Sequence, residues 1–487
     1  MSGNPAFPSL LVTASGLVAQ GDFAETQAAV LDPDPESVRT LTQLLEQTQA
    51  GIVAHYYMAP ELQGVLLGSD WPHIHVSDSL LMADRAVEMA RAGARALVVL
   101  GVDFMSENVR ALLDAAGYSD IPVLRAASSP IGCSLAEAAE TAAYLSYLEQ
   151  AARTPRSIHV VYINTSLATK AAAEARLPTL TCTSSNVVSM VLQCFAQVPD
   201  CHVWFGPDTY MGQNLAHLFE SLAELGDSTV RAAHPNFDAD SIRLALRRFH
   251  YFEAGNCIVH HLFGDDVVNR VKSDYGDALI TAHLEVPGAM FRLGLEAQRQ
   301  GRGVVGSTSD ILRFVDTCVM GAIRGNAPRR LRVILGTEVG LVTSLVQHIR
   351  ARLQSCRELE LSVEIVFPVA SEAVAVTGNT ELPVLPGVAS GEGCSLEGGC
   401  ATCPYMKMNH LDALLDVLSS FAQTGTSKLA SYAPKRYEAT LRGRSIVDWG
   451  TIPILAMRHY SKTKQLSEKL VRRVTGLSSL AAPQVTE

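Results

Sequence analysis

Apolar runs typical of β-strands alternate with helix-like patterns almost to the end of the chain, and this alternation limits the chain to α/β architectures. The strand-like runs include residues 52–55, 96–100, 159–163, 202–205, 278–281, 303–305 and 331–335. Strands separated by helices pair in parallel, so the pattern predicts α/β layers with parallel sheets. With 487 residues, the chain has room for about three such units.

The same residue types recur at the ends of these predicted strands. Gly101, Gly206 and Gly306 each follow an apolar run and lie about 100 residues apart. Polar strand ends at His55, Tyr162 and His283 recur at similar intervals. We interpret this as three α/β units of similar plan. The alternative is that any α/β protein places glycine after strands.

Composition interrupts this rhythm at both ends and once inside the chain. Residues 358–399 are rich in Val, Gly and Pro and are predicted to be an insertion. Residues 411–421 have a helical period, and basic residues accumulate beyond them on what we expect to be a solvated surface. The predicted organisation is a loose N-terminal extension over 1–38, α/β domains over 39–130, 131–250 and 251–410, and a C-terminal helical segment and tail over 411–487.

Charge and hydropathy exclude several classes of protein. The formal net charge of −10 disfavours binding to nucleic acid or to anionic lipid. No apolar stretch approaches the ~20 residues that a bilayer span needs. Acidic residues precede Arg39, the first basic residue, which argues against a targeting signal. Because most of the ten cysteines lie in apolar runs, we expect buried thiols in a reducing compartment and a cytoplasmic protein.

Hydroxyl and amide side chains stand between strand-like runs and helical patterns at three places. These are Asp78 with Ser79, the run from Thr183 to Asn186, and Ser307 with Thr308. Ligands of open α/β layers bind at the carboxyl ends of strands, where helix N-termini favour anions. Each place alone is better explained as a helix N-cap. The three together predict a pocket for phosphate or carboxylate.

Three cysteines lie at predicted turns, one in each proposed unit: Cys133, Cys257 and Cys403. Cys133 precedes a capping box, Ser134 to Glu137, which is predicted to open a helix running to residue 148. Cys403 precedes a proline suited to the first position of a helix. Converging thiolates bind a soft metal or an iron-sulfur cluster.

Other motifs carry weaker signals. Cys400 and Cys403 form a C-x-x-C pair, with Cys394 nearby, which fits half of a zinc knuckle or a redox pair, and a second pair is missing. The glycines of 301–306 match a dinucleotide fingerprint but lead into a strand rather than a helix. The histidine pair at His260 and His261 has no zinc-site spacing and is interpreted as surface or core histidines.

A dozen motifs, in order over residues 40–420, resemble the quinolinate synthase family. They are His55-Tyr-Tyr57, Asp78-Ser-Leu80, Gly101-Val-Asp-Phe-Met105 with Glu107, Gly132-Cys-Ser-Leu-Ala136, Tyr162-Ile-Asn-Thr-Ser166, Cys182-Thr-Ser-Ser-Asn186, Gly206-Pro-Asp208, His260, Ala282-His-Leu-Glu285, Gly306-Ser-Thr308, Gly336-Thr-Glu-Val-Gly340 and Cys403-Pro-Tyr-Met-Lys-Met-Asn409. Three positions depart from the family: Met58 replaces a common Gln, Asp103 a frequent His, and Leu284 a Pro.

The resemblance implies three similar α/β domains in a pseudo-threefold triangle around a central 4Fe-4S cluster, held by Cys133, Cys257 and Cys403 with the fourth iron open. It implies condensation of iminoaspartate with dihydroxyacetone phosphate to quinolinate, the precursor of the NAD pyridine ring. The implied partners are an enzyme that makes iminoaspartate and the iron-sulfur assembly machinery, with a homodimer as the assembly. Cys394 and Cys400 would not be ligands and would form either an inert pair or a regulatory disulfide.

The resemblance also assigns roles to side chains. Glu285, Tyr57, Tyr162 and His55 would be catalytic, and the residues binding the carboxylates and the phosphate would be His55, Tyr57, Ser79, Tyr162, Asn164, Ser184, His283 and Thr308. Two other functions stay open: a 4Fe-4S hydro-lyase acting on a hydroxy acid, and a non-catalytic iron-sulfur sensor. A sensor would have no need of the acid and base side chains.

Overall fold

The computed structural model describes residues 7–325, 330–356, 360–368 and 403–476. Its strands are β1 (Ser9–Val12), β2 (Leu17–Gln20), β3 (Ala50–His55), β4 (Ile74–Ser77), β5 (Ala96–Leu100), β6 (Val123–Arg125), β7 (Ser157–Tyr162), β8 (Thr179–Cys182), β9 (His202–Gly206), β10 (Phe249–Tyr251), β11 (Leu279–His283), β12 (Gly303–Gly306), β13 (Arg330–Gly336), β14 (Ser362–Val366), β15 (Thr440–Leu441) and β16 (Arg444–Ser445).

The helices are α1 (Asp22–Ala29), α2 (Pro35–Thr48), α3 (Pro60–Gly68), α4 (Ser79–Arg91), α5 (Asp103–Ala115), α6 (Ser134–Ala138), α7 (Ala142–Arg153), α8 (Leu167–Glu174), α9 (Val187–Gln197), α10 (Thr209–Leu225), α11 (Asp227–Ala233), α12 (Ala239–Leu246), α13 (Asp265–Asp274), α14 (Gly288–Arg299), α15 (Thr308–Ile323), α16 (Leu341–Gln354), α17 (Leu411–Thr424), α18 (Ile446–Thr463) and α19 (Glu468–Thr475). Short 3₁₀ turns lie at His260–Leu262, Met406–Met408 and Ala430–Tyr432. Among the described residues, no helix has both the length and the apolar character needed to cross a membrane.

The chain divides into two compact units. The first unit comprises Met1–Cys133 and Cys257–Pro434, and the second comprises Ser134–Asn256 and Lys435–Glu487. The predicted α/β fold with several parallel sheets is confirmed, because each unit contains parallel strands covered by helices. The pseudo-threefold triangle stays a prediction.

The first unit holds two sheets. One has the strand order β4-β3-β5-β6 and is parallel throughout, with Ile52 opposite both Ile74 and Val98. The other has the order β12-β11-β13-β14-β1-β2, in which β1 and β2 are antiparallel and the rest are parallel. Strands β3 and β5 are buried along their whole length. That burial explains why they are continuous apolar runs without polar alternation.

The second unit is built on the parallel sheet β10-β9-β7-β8. Helix α18 packs on α8 and β8, so residues 435–476 belong to this unit. Helix α17 belongs to the first unit, and the segment predicted over 411–487 is therefore divided between the two units. The basic side chain of Arg442 donates a hydrogen bond to the carbonyl of Ala175 at the end of α8. A cation at a helix C-terminus is stabilised by the helix dipole.

The prediction that residues 1–38 are loose is wrong for residues 7–38. They form β1, β2, α1 and the first turn of α2. The Ser9 hydroxyl donates to Glu364 Oε1 (3.1 Å), and the Phe7 N–H donates to the Tyr275 hydroxyl (2.9 Å). Backbone pairing with β14 and burial of Leu10 fix the segment to the mixed sheet.

Two further expectations need correction. Strand β14 lies inside the predicted insertion 358–399 yet is a central strand of the mixed sheet; positions 369–399 of that insertion lie outside the described residues. The helix expected from Ser134 to residue 148 is interrupted, since α6 ends at Ala138 and α7 begins at Ala142. Thr141 caps α7 by accepting a hydrogen bond from the Tyr144 N–H (3.3 Å).

Candidate active site

The carboxyl ends of parallel strands in the first unit bring predicted site residues together. His55 ends β3 and His283 ends β11, while Thr308 begins the helix after β12. Thr337 and Glu338 follow β13 directly. All five side chains are buried from solvent. The ends of parallel strands are the usual place for a ligand in such sheets, as the sequence predicted.

Tyr57 lies in the turn after β3, and its hydroxyl is held by two other strand ends. The phenol oxygen is 3.1 Å from Thr308 Oγ1 and 3.2 Å from Thr337 Oγ1. Burial and the negative charge of Glu285 raise the pKa of Tyr57 well above 10. The phenol therefore stays protonated at neutral pH and can donate a hydrogen bond or a proton.

Glu285 is buried, and each of its carboxylate oxygens faces a different imidazole. Its Oε2 lies 3.1 Å from His260 Nδ1, and its Oε1 lies 3.9 Å from His283 Nδ1. The two imidazole rings stack with centroids 4.9 Å apart. Burial lowers the pKa of His55 and of His283 to about 4, so the imidazoles of His55 and His283 are neutral near pH 7. Glu285 and the neighbouring imidazoles can therefore exchange protons without placing isolated charges in the protein interior.

Three cysteine thiols, those of Cys133, Cys257 and Cys403, accompany these groups. The Cys257 sulfur is 3.3 Å from His260 Nδ1, and the ligand atoms of Cys257, His260 and Glu285 all lie within 4.8 Å of one another. Burial and Glu285 raise the pKa of Cys257 well above its usual range, with smaller contributions from Cys403 and Cys133. The thiols are thus near enough to disfavour one another's ionisation. A bound cation would relieve this repulsion, so the donor set fits a thiolate-bound metal centre.

The loop that carries Cys403 is fastened by two polar side chains. Its backbone N–H donates to Glu338 Oε1 (2.9 Å). Asn409, at the end of the same loop, donates to the Gly101 carbonyl (3.2 Å) and accepts from the Gly101 N–H (3.2 Å). The residues after Pro404 form a turn and the 3₁₀ segment Met406–Met408, not the first turn of an α-helix as predicted.

Several predicted site residues belong to the second unit. Tyr162 ends β7, Asn164 follows it, and Ser184 follows β8. They occupy the carboxyl end of that unit's sheet, as the sequence indicated. Ser79 is in the first unit, as the first residue of α4. The roles of these four residues stay predictions.

Two of the three candidate anion-binding strand ends also contain ordinary helix caps. Ser307 caps α15 through a capping box with Asp310. Asp78 Oδ1 accepts the N–H of Leu81 (3.1 Å), and Asn186 Oδ1 accepts the N–H of Thr183 (2.9 Å). Thr308 is the hydroxyl that faces Tyr57 instead. The cap interpretation therefore holds for Ser307 and for Asp78, whereas Asn186, the residue before α9, makes no side-chain cap hydrogen bond.

The three departures from the family pattern have plain structural settings. Met58 and Leu284 are each 1% exposed and fill apolar space. Asp103 pairs with Arg125 (2.6 Å), whose guanidinium also donates to the Ser431 carbonyl (2.9 Å). Asp103 is thus part of an ion pair that ties α5 to the segment after α17.

Sequence reasoning missed four residues of the site. His260 was assigned to the surface or core, but it contacts both Cys257 and Glu285. Its Nε2 is buried and makes no hydrogen bond within the described part of the chain. The sequence did contain a signal for the contact between Cys257 and His260, namely their Cys-x-x-His spacing. Thr337, Glu338 and Gln63 are set by contacts between distant segments, which spacing does not show.

Fold and site together define a multi-sheet α/β protein with a buried acid-base group beside a Cys-His-Glu group that could hold a metal ion. The family model described as Quinolinate synthetase A protein matches residues 39–433. The chain is 50% identical to a chloroplastic quinolinate synthase of Nicotiana tabacum, covering 98% of this chain and 68% of the relative. It is 50% identical to one of Arabidopsis thaliana, over 97% and 68%. A quinolinate synthase of Prochlorococcus marinus is 27% identical, over 82% and 87%.

This chain belongs to the quinolinate synthetase A family, a family of enzymes. It spans about two thirds of the length of the plant relatives it matches. The expectation of a cytoplasmic protein is wrong, because the plant relatives at about 50% identity are named chloroplastic. An acidic N-terminal region was an unsound basis for that expectation.

Proposed function

We propose that the protein is a quinolinate synthase of NAD biosynthesis that condenses iminoaspartate with dihydroxyacetone phosphate, releasing phosphate and water. The observation that carries the proposal is the buried group of Tyr57, His260, His283 and Glu285 next to Cys257. The reaction requires several proton transfers during enolisation and dehydration. A sheltered set of acids and bases meets that requirement.

Each side chain has a defined part in this scheme. The Tyr57 hydroxyl, kept protonated and held by Thr308 and Thr337, donates to a substrate oxygen. Glu285 Oε2 accepts a proton, and His260 Nδ1, 3.1 Å away, shares it. The neutral His55 and His283 donate to substrate carboxylates without adding charge. Tyr162, Asn164, Ser184 and Ser79 are proposed to complete substrate binding.

Cys133, Cys257 and Cys403 are proposed to hold a 4Fe-4S cluster with one open iron, which supplies electrophilic catalysis when bound. The mutual influence of these three thiols on their pKa values supports this donor set. Cys394 and Cys400 lie outside the described residues and are proposed not to be ligands. The iron-sulfur assembly machinery and an iminoaspartate-producing enzyme are the proposed partners, in a plastid like the plant relatives.

Anaerobic reconstitution with iron and sulfide, followed by a quinolinate assay with both substrates, tests the proposal. Phosphate release that depends on dihydroxyacetone phosphate separates it from a hydro-lyase acting on a hydroxy acid. A protein that binds the cluster but turns over neither kind of substrate would instead be an iron-sulfur sensor.

A further inference from the structure

The side-chain amide of Gln63, in α3, is fully buried and meets three backbone carbonyls. Its Nε2 lies 2.6 Å from the Tyr56 oxygen, 3.0 Å from the Met58 oxygen and 2.7 Å from the Gly340 oxygen. Its Oε1 accepts from the Ser344 hydroxyl at 3.4 Å. An amide nitrogen has two protons, so one of the three contacts is shared. The surrounding oxygens fix the amide with its nitrogen toward them.

Two of these carbonyls lie on either side of Tyr57. Gln63 therefore holds the backbone of the turn from both flanks, while Thr308 and Thr337 hold the phenol at the far end of the side chain. The turn itself closes through the Met58 N–H, which donates to the His55 carbonyl (3.2 Å). Both ends of the tyrosine are thus restrained by groups from other segments.

The third carbonyl connects the turn to the loop after β13. A Cβ atom on Gly340 would lie 2.7 Å from Tyr57 Cα and 2.8 Å from the Tyr56 oxygen, so the two backbones touch and glycine is needed there. Two residues earlier, Glu338 accepts the Cys403 N–H. One chain of contacts therefore runs from the Tyr57 turn through Gln63 and Gly340 to the loop of a thiol ligand.

We propose that Gln63 is a positioning residue that sets the place of the Tyr57 hydroxyl relative to the thiol centre by clamping the 56–58 turn to Gly340. The proposal rests on the role of Tyr57 in the proposed function. Gln63 itself hydrogen-bonds three backbone carbonyls and the Ser344 hydroxyl, and it acts through Tyr57. A displacement of about 1 Å in a reacting group can lower turnover by about 10²-fold, so a clamp of this kind controls rate.

The first test replaces the amide with an apolar side chain of similar size. Gln63→Met should lower kcat by about 10- to 100-fold with KM changed much less and with iron content at the wild-type level. Gln193→Met is the matched control, since Gln193 is a buried amide in the second unit that bonds Gln197, Gln465 and His234. The control should keep its kcat. Equal kcat losses in the two variants, measured on folded protein, would overturn the proposal.

A double-variant cycle separates positioning from general damage. If Gln63 acts through Tyr57, Gln63→Met should lower turnover less than threefold in a Tyr57→Phe background. An unchanged 10- to 100-fold loss in that background would show that Gln63 acts independently of Tyr57 and would contradict the proposal. If Gln63→Met does not accumulate as folded protein, Gln63→Asn keeps the amide, shortens its reach and serves in the same cycle.

Hydrogen exchange gives a readout that needs no activity. In the purified protein, Gln63→Met should accelerate amide exchange at residues 56–58 by about tenfold or more relative to the Gln193→Met control. Unchanged exchange there would overturn the clamp whatever the activity. Faster exchange in a protein whose wild type makes no quinolinate would uphold the clamp and reject the proposed function instead.

Discussion

At the scale of single residues, Glu285 is the group around which the chemistry is arranged. It is 3% exposed, lies within contact of two imidazoles and raises the pKa values of both Tyr57 and Cys257. The charge of Glu285 thus acts on Tyr57, the proposed acid, and on Cys257, a proposed metal ligand. Within the described part of the chain the carboxylate pairs with His260 and with His283.

Glu285→Gln should reduce turnover by about 10² to 10⁴-fold, the usual contribution of acid-base catalysis, because the amide keeps the shape but cannot take up the proton. Iron content and the absorption spectrum should not change. Glu296→Gln, on the exposed side of the following helix α14, is the control and should behave as wild type. Near-normal turnover of Glu285→Gln would contradict this role and would assign the proton transfer to Tyr57 or Tyr162 instead.

Residue-level prediction from the sequence worked where a side chain ends a strand. His55, His283 and Thr308 could be placed because strand ends in parallel sheets share an edge. Gln63 and Glu338 could not, because they act on backbone groups that are 277 and 65 residues away in the chain. The identity of such partners is decided by packing between segments, which a single sequence does not encode locally.

At the scale of elements, the loop after β13 contacts the loop that carries Cys403, a proposed metal ligand. Glu338 is 1% exposed, and burial raises its pKa well above the usual range. One oxygen holds the Cys403 N–H, and the other is buried without a hydrogen-bond partner in the described part of the chain. The carboxyl group thus connects the loop after β13 to the backbone of the Cys403 loop.

Glu338→Ala should therefore weaken iron binding by about 10- to 100-fold, the usual effect of removing a group that orients a metal ligand. The rate of iron loss to a chelator, followed by absorbance under anaerobic conditions, measures this. Glu338→Gln should lie between Ala and wild type, since its amide oxygen can still accept the N–H. Wild-type chelation rates for Glu338→Ala would mean that Cys403 is held by other contacts.

The N-terminal hairpin shows why element assignment failed in one place. β1 pairs with β14, more than 350 residues later, and each strand has only a few residues. Short strands with distant partners leave a weak local pattern, so the region appeared loose. The break between α6 and α7 was more predictable, because Thr141 is a good N-cap.

The hairpin should contribute to stability as a core element does. Leu10 is fully buried, whereas Val18 on β2 is 60% exposed. Leu10→Ala should reduce the free energy of unfolding by about 2–5 kcal/mol, and Val18→Ala should change it by less than about 1 kcal/mol. Urea unfolding of the two variants compares them directly. Equal, small changes in the free energy of unfolding would mean that the N-terminal hairpin is a loose extension after all.

At the scale of the whole molecule, buried neutral histidines link stability to pH. His159, in β7, donates from Nδ1 to the Trp204 carbonyl (2.8 Å) and accepts at Nε2 from the Tyr144 hydroxyl (3.0 Å), and burial lowers its pKa to about 4. The unfolded chain binds this proton near pH 6.5 and the folded chain only near pH 4. Stability is therefore full above pH 6.5 and falls as the pH drops toward 4.

Between pH 7 and pH 5, His159 alone should remove about 2 kcal/mol from the free energy of unfolding. His159→Gln should reduce the pH dependence by that amount, whatever it does to stability at pH 7. Urea midpoints of the variant and the wild type at the two pH values give the difference. An unchanged pH dependence in the variant would mean that His159 is already accessible to protons in the folded state.

The general architecture was predictable because buried parallel strands are continuous apolar runs that alternate with helices. Assignment of 435–476 to the second unit was not, since α18 reaches α8 through tertiary packing. The compartment was inferred from an acidic start and from cysteine placement, and neither observation bears on the plastid named for the plant relatives.

The most direct test of the account is the iron content and quinolinate output of the cysteine variants after anaerobic reconstitution. Wild type should bind about four iron atoms per chain and make quinolinate from iminoaspartate and dihydroxyacetone phosphate. Cys133→Ser, Cys257→Ser and Cys403→Ser should each lose the cluster and the product, while the double replacement of Cys394 and Cys400 by Ser should keep its iron. Full iron and turnover in any of the three single variants would contradict the assigned centre.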